Sequence, residues 1–226
     1  SGNDAVAHAV RDAGVRVAAA YPGTPSTEIL EVVARFPGLY AEWSPNEKVA
    51  VEVAIGAALA GEKAMAIMKH VGVNVAADPI FTVSYTGTNS ALVIVSADDP
   101  SMHSSQNEQD NRNYAKFAKI PMLEPADAQE AKEFIKIAFA LSKKFDTPVF
   151  LRSTTRVSHS KGIVKLSKPT NYEDKTAITF NPGKYVMVPA LARLRRIEVE
   201  KRLEKLKQYA ENFSENKIEI NDRRVG

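Results

Sequence analysis

Val15-Arg16-Val17-Ala18-Ala19-Ala20-Tyr21-Pro22-Gly23-Thr24-Pro25-Ser26-Thr27-Glu28-Ile29-Leu30-Glu31-Val32-Val33-Ala34-Arg35 is the stretch that decides the fold. Val15–Ala20 is a short, mostly apolar run of strand length, without the polar alternation of a strand that faces water on one side. Two prolines and a glycine within Tyr21–Pro25 stop it. Ser26 then stands at a helix N-cap, and Glu28 and Glu31 lie near the positive end of a helix that runs to about Arg35. A buried strand followed at once by a helix is the opening of a βαβ unit.

The alternation continues in both directions. Upstream, Ser1-Gly2-Asn3-Asp4 has the character of a helix start, and a helix from Asn3 or Asp4 to Ala13 ends at Gly14. Downstream, Leu39–Glu42 is a short strand. Asn46 caps a helix over Glu47–Ala60, which Gly61 closes. That helix is rich in Ala and Val with Gly56 inside, so it is expected to pack closely on both sides. Lys63–Met68 is a strand, Val73–Thr86 a helix, and Ala91–Ser96 the most hydrophobic strand. Ser104–Ala118 reads as a helix, Pro121–Leu123 as a short strand, Asp127–Lys144 as a long helix and Thr147–Arg152 as the last strand. The expected fold class is α/β: three layers, with an about six-stranded, mostly parallel sheet covered by helices on both faces. In such sheets ligands lie at the carboxyl ends of the strands. The informative residues there are Pro22–Thr24, Ser44–Glu47, Lys69–Asn74 and Ala97–Ser105.

Composition narrows the class. The chain has 226 residues, 44% of them hydrophobic, enough for one well-filled domain with an appendage. Residues 1–158 are expected to form that domain. Residues 159–226 are expected to be an extended connection, over Ser160–Pro189, and a charged helix, Leu191–Tyr209, docking the stripe Leu194, Ile197, Leu203 and Leu206. The basic end Arg223-Arg224-Val225-Gly226 reads as the approach to a further domain, and the absence of an initiator Met suggests a trimmed start. A net charge of +3 is too small for a nucleic-acid footprint. No apolar run is long enough to span a bilayer. With no cysteine, the chain holds no disulfide, thiolate zinc site or Cys-ligated iron–sulfur cluster. A cytoplasmic setting is expected.

Four places carry chemistry-bearing residues. Glu47 puts a carboxylate in the first turn of an otherwise apolar helix. It either serves the helix dipole or, at a strand end where a small molecule binds, shares a proton with a ligand nitrogen. The rigid turn at Thr24 presents a hydroxyl and N–H groups at a helix N-terminus, suited to a carboxylate or simply to a tight turn. In Lys69-His70-Val71-Gly72-Val73-Asn74, Gly72 permits a close approach to the backbone, and His70 exchanges protons near neutrality or serves as a hydrogen-bonding loop residue. Asp98 and Asp99 open a polar loop. Nothing in their spacing sets a metal geometry, so a hydrogen-bonded loop is expected.

Taken together, Tyr21-Pro22-Gly23-Thr24-Pro25-Ser26-Thr27-Glu28, Glu42-Trp43-Ser44-Pro45-Asn46-Glu47-Lys48-Val49-Ala50, Met68-Lys69-His70-Val71-Gly72-Val73-Asn74-Val75-Ala76-Ala77-Asp78-Pro79 and His103-Ser104-Ser105-Gln106-Asn107-Glu108-Gln109-Asp110-Asn111-Arg112 resemble, in this order, the N-terminal region of the indolepyruvate ferredoxin oxidoreductase alpha-subunit family. The resemblance covers Gly2–His159, and Lys184–Ala190 is similar to that family's connection to its next domain. It implies the flavodoxin-like pyrimidine domain of the thiamine-diphosphate-binding fold. Glu47 matches the family's catalytic glutamate, which shares a proton with the aminopyrimidine ring. His70, Gly72 and Asn74 match positions beside the cofactor, and Thr24 matches the contact to the substrate carboxylate. The implied reaction is oxidative decarboxylation of aryl 2-oxoacids, with thiamine diphosphate and Mg2+ as cofactor, coenzyme A as acyl acceptor and ferredoxin as electron acceptor. A Gly-Asp-Gly…Asn diphosphate motif and the cysteines of the family's [4Fe-4S] clusters are missing from this chain. The implied partners are therefore the remaining alpha-subunit domains or a second chain with the diphosphate site, a beta (gamma-type) subunit and ferredoxin, in a homodimer or hetero-oligomer. Alone, the chain is expected to be inactive. A non-oxidative decarboxylase subunit and a non-catalytic flavodoxin-like binding or assembly module are the competing expectations.

Overall fold

The computed structural model describes residues 1–169, 175–178, 180–216 and 220–221. Part of the expected 160–189 connection, and the basic end at 223–226, lie outside the described residues.

Six strands form one all-parallel sheet: β1 (Val17–Ala20), β2 (Tyr40–Trp43), β3 (Ala64–Lys69), β4 (Leu92–Asp98), β5 (Met122–Leu123) and β6 (Val149–Thr154), in the order β2-β1-β3-β4-β6-β5. The helices are α1 (Gly2–Asp12), α2 (Thr27–Val33), α3 (Glu47–Leu59), α4 (Gly72–Val75), α5 (Ala77–Thr86), α6 (Arg112–Ala118), α7 (Ala128–Phe145), α8 (Thr155–His159), α9 (Pro182–Tyr185) and α10 (Pro189–Glu211). β3 and β4 are buried almost end to end, which is why their sequences carry no polar alternation. Pleating sends Met65 and Ile67 into a core with α1, α2 and α7, and Ala64, Ala66 and Met68 into a second core with α3, α5 and α6.

Local signals set most boundaries. Ser1 and Asp4 close a capping box on α1, Asn46 accepts from the Val49 N–H at 3.0 Å, and Asp127 accepts from the Glu130 N–H at 2.8 Å. Four expectations are corrected. The single helix over Val73–Thr86 is two, α4 and α5, parted at Ala76. Pro79 supplies no N–H for the Val75 carbonyl, and its ring would collide with it. The helix expected from Ser104 starts only at Arg112, because residues 104–111 spend their donors on acceptors elsewhere. Gly56 faces open space, with nothing within 4 Å of where a Cβ would sit, so α3 is packed on one side there.

The fourth concerns α10. It buries Val199, Arg202 and Leu206, while Leu194 and Ile197 are 61% and 52% exposed. Helix ends dictate that choice. α5 and α7 finish at the amino edge of the sheet with unpaired carbonyls. Arg195 Nε donates to Tyr85 O at 2.9 Å, Arg202 donates to Asp146 O at 2.6 Å and to Ser84 O, and Lys184 Nζ donates to Thr88 O at 2.8 Å. Cations at helix C-termini are electrostatically favoured. Burial pushes the Arg202 guanidinium down to about 10, so it stays charged at neutral pH. Tyr209 packs edge-on against Phe145, with ring centres 5.6 Å apart. α9 and α10 thereby cover the amino edge of the sheet, opposite its carboxyl edge.

Candidate functional site

The chain leaves β1 toward β2 on one side and returns to β3 on the other, so β1 and β3 flank a topological switch point. The turns after β1, β2 and β3 converge at their carboxyl ends. The Ser44 N–H donates to Ala20 O at 2.8 Å, and the Tyr21 N–H to Ile67 O at 3.4 Å, holding the three strand ends in step.

Asn46, in extended backbone, turns the chain into α3 and places Glu47 at its first helical position. Glu47 is 9% exposed. Among the described residues its carboxyl has no hydrogen-bond or ion-pair partner. Against it lies Gly72, the first residue of α4: a Cβ there would stand 2.5 Å from Glu47 Cγ and 2.6 Å from Oε1. Glycine is required by that contact and not by backbone strain, since Gly72 is not in the left-handed region. Next to it, His70 is fully buried, and neither ring nitrogen has a partner among the described residues. A buried imidazole with both nitrogens unpaired is costly unless a ligand or water completes it. Its carbonyl, by contrast, accepts from Gln109 Nε2 at 2.9 Å and Asn111 Nδ2 at 3.0 Å.

The remaining expected residues fall around this centre. Thr24 is exposed on the β1 turn, behind which Asn3 Nδ2 donates to Pro25 O at 2.7 Å. Asn74 is exposed and committed sideways: its amide donates to Gln109 Oε1 at 2.7 Å and accepts from the Tyr114 hydroxyl. Glu47, His70 and Gly72 are therefore gathered in one place, Thr24 lies on the neighbouring lip, and Asn74 braces the polar loop.

That loop accounts for Asp98 and Asp99. Asp98 accepts from Arg152 Nε at 2.7 Å, Ser96 Oγ at 2.7 Å and the Asn111 N–H at 3.1 Å. Asp99 accepts from Ser105 Oγ at 2.6 Å, Thr155 Oγ1 at 2.7 Å and the Ser104 and His103 N–H groups at 2.8 and 3.2 Å. Among the described residues no group of three or more His, Asp or Glu is placed to hold a metal ion. Burial alone would push the Asp99 carboxyl up; the donors from Ser105, Thr155, Ser104 and His103 outweigh it and hold the group well below the usual carboxylate range. A folded pKa below the unfolded one stabilises the loop above about pH 3.9, and this contribution is lost as pH falls further. Amide exchange at His103 and Ser104 is thus expected to show no Asp99 contribution to its pH dependence between pH 8 and 5. Asp99→Asn should loosen both amides by about 1.5–3 kcal/mol. Unaltered protection in the variant would remove Asp99 as the organiser of the loop. The supporting Ser96–Asn111–His70 chain was not singled out from sequence; the signal was a serine and an aspartate at the end of an otherwise apolar strand.

A parallel sheet with an unpartnered carboxyl set against a glycine at its switch point has the layout of a ligand-binding α/β domain. The family described as pyruvate flavodoxin/ferredoxin oxidoreductase, thiamine diphosphate-binding, matches residues 8–218. The chain belongs to that family. It is 50% identical, over its whole length, to the indolepyruvate oxidoreductase subunit IorA of Archaeoglobus fulgidus, 37% of which it covers. It is 47% identical, again over its whole length, to the subunit of the same name from Pyrococcus abyssi, covering 36% of it. A more distant relative is the 2-oxoglutarate synthase subunit KorA of Methanothermobacter marburgensis, 28% identical over 82% of this chain and 52% of that one. Among solved structures, a 2-oxoglutarate:ferredoxin oxidoreductase from Magnetococcus marinus superposes with a TM-score of 0.66 over 97% of this chain and 46% of that one. At 18% identity that likeness is one of fold. The chain spans little more than a third of the length of the IorA relatives it matches.

The residues present fit an aminopyrimidine. Glu47 carries a carboxyl with no partner among the described residues, Gly72 makes room for that side chain, and the ring nitrogens of the fully buried His70 likewise lack a partner among the described residues.

Proposed function

We propose that this chain is the aminopyrimidine-binding part of a thiamine-diphosphate-dependent oxidoreductase that oxidatively decarboxylates aryl 2-oxoacids of the indolepyruvate kind. The acyl group passes to coenzyme A and the electrons to ferredoxin. The single observation that carries this reading is Glu47 held against Gly72 at the switch point, in a chain half identical to an indolepyruvate oxidoreductase subunit.

Thiamine diphosphate supplies, when bound, a nucleophilic carbon for the 2-oxo group and a sink for the electrons left when CO2 departs. Glu47 holds and exchanges a proton at its carboxyl, which a buried site at a helix start favours only when a ligand atom shares it. Gly72 keeps the carboxyl's path clear. His70 lies buried beside Gly72 with both ring nitrogens unpartnered among the described residues, and Thr24 presents a hydroxyl to the substrate carboxylate. Asn74 holds the loop that buttresses His70 and reaches the cofactor only through it.

Mg2+ and the diphosphate belong to another domain or a second chain, and so do the [4Fe-4S] clusters. A beta (gamma-type) subunit and ferredoxin complete the assembly, as a homodimer or hetero-oligomer in the cytoplasm. The chain by itself is inactive, and the face presenting Glu47 meets the diphosphate-binding partner.

The test is reduction of ferredoxin by the full-length assembled enzyme, loaded with thiamine diphosphate and supplied with coenzyme A. Indolepyruvate or phenylpyruvate is expected to exceed pyruvate and 2-oxoglutarate by about tenfold or more in kcat/KM. Preference for 2-oxoglutarate would overturn the substrate class. Release of free aldehyde without any electron acceptor would make the enzyme a non-oxidative decarboxylase.

A further inference from the structure

We propose that Lys69 is the cationic contact for the carboxylate of the 2-oxoacid and so a specificity-determining residue of the site. This rests on the function proposed above and adds a residue to it.

Strand pleating separates two adjacent side chains. Met65 and Ile67 of β3 enter the core beneath α1, α2 and α7, so Lys69, two residues on, falls on the α2 face; Met68 enters the other core, so His70 falls on the α3 face. His70 still belongs to the ladder, its N–H donating to Ala97 O at 3.0 Å. The strand end thus delivers an imidazole to the Glu47 side and an ammonium to the Thr24 side.

The Lys69 stem packs where the β1 turn passes. A Cβ on Gly23, the residue before Thr24, would stand 3.0 Å from Lys69 Cβ and 3.7 Å from Cδ. Lys69 Nζ donates to Ser104 O at 3.2 Å. Ser104 is itself pinned through its N–H to Asp99 at 2.8 Å, so the ammonium is tethered between the lip of β1 and the loop after β4. Among the described residues this carbonyl is its one partner, and no carboxylate pairs with it. The Asp99 oxygens are taken by Ser105, Thr155, Ser104 and His103 and make no direct ion pair with it. An ammonium has three donors, so two remain for an incoming anion. Tyr21 and Trp43, at the carboxyl ends of β1 and β2, are 39% and 45% exposed. Trp43 pairs with Ala20 and so shares the α2 face with Lys69, which gives that side of the rim an aromatic surface, the chemistry of an aryl 2-oxoacid.

Because the carboxylate leaves as CO2, a contact to it is made in the ground state and lost during the reaction. Its removal therefore acts on KM and spares kcat. In the full-length assembled enzyme, Lys69→Met is expected to raise KM for the arylpyruvate about tenfold to a hundredfold, the size of one charge-assisted hydrogen bond, with kcat little changed. Calorimetry with two non-reacting probes isolates the charge: a 3-arylpropionate and its neutral amide. Lys69→Met should weaken the propionate by the same factor and leave the amide unaffected. Lys69→Arg, which keeps the charge, should restore most of the difference. Thiamine diphosphate content should stay at the wild-type level in both variants. Equal effects on propionate and amide, or none on either, would overturn the proposal while leaving the functional reading intact. A wild-type enzyme that takes up no thiamine diphosphate and turns over no 2-oxoacid would overturn that reading and this proposal together.

Discussion

Glu47→Gln is expected to lower turnover of the assembled oxidoreductase by about a hundredfold to ten-thousandfold, the range for removal of a positioned acid–base group. Glutamine keeps the shape and the hydrogen bonding of the first turn of α3 but can neither hold nor exchange the proton. The fold has little at stake. Asn46, not Glu47, caps the helix, and the carboxylate's favourable interaction with the helix dipole is worth about 0.3–1 kcal/mol. Thermal unfolding of the variant should therefore stay close to that of the parent protein, and the loss should appear in activity with saturating cofactor. Turnover within a few-fold of the parent would take Glu47 out of the chemistry and favour a binding or assembly module.

Gly72→Ala is expected to reproduce most of that loss without touching an ionisable group. The new methyl would lie 2.5 Å from Glu47 Cγ, 2.6 Å from Oε1 and 2.8 Å from Cδ. Those are side-chain atoms, so the carboxyl and not the backbone is what must shift. Alanine also restricts the unfolded chain more than glycine does, a gain of about 0.4–1 kcal/mol. The two effects oppose each other, leaving stability within about 1 kcal/mol of the parent. What cannot be kept is the position of the carboxyl, and an acid–base group moved by an ångström loses about a hundredfold. The double variant decides the mechanism. If Gly72→Ala acts through Glu47, adding it to Glu47→Gln costs little more, because coupled residues are not additive. Independent, multiplying losses would mean that Gly72 contacts the ligand by its own backbone and not by clearing room for Glu47.

Much of this architecture was legible because the signals are local. The strand end at Pro22, the helix end at Gly61 and the caps at Asn46 and Asp127 depend on the dihedral and hydrogen-bonding preferences of a few neighbouring residues. The uninterrupted apolar runs of β3 and β4 require burial on both faces, which only a sheet covered by two helical layers provides. Glu47 was legible as a candidate for the same reason: a carboxylate opening an apolar helix after a strand is visible in one line of text. The local signals failed where distant acceptors compete. Residues 104–111 have the composition of a helix, yet their donors are taken by Asp98, Asp99 and the His70 carbonyl. α10 has an apolar stripe at Leu194 and Ile197, yet turns Arg202 inward because two other helices end there with unsatisfied carbonyls.

The sequence by itself determined most of the elements, a mostly parallel class of sheet and the strand ends at which chemistry was expected, since periodicity and turn residues act within a dozen positions of one another. Only the tertiary structure decided which of those ends meet. The order β2-β1-β3 brings Gly72 against Glu47 across 25 residues and Lys69 against Gly23 across 46. The pleat of one strand then sends Lys69 and His70 to opposite sides. Contacts of that range are set by how crossover helices pack on a twisted sheet, an energy shared over two whole cores and carried by no short run of residues.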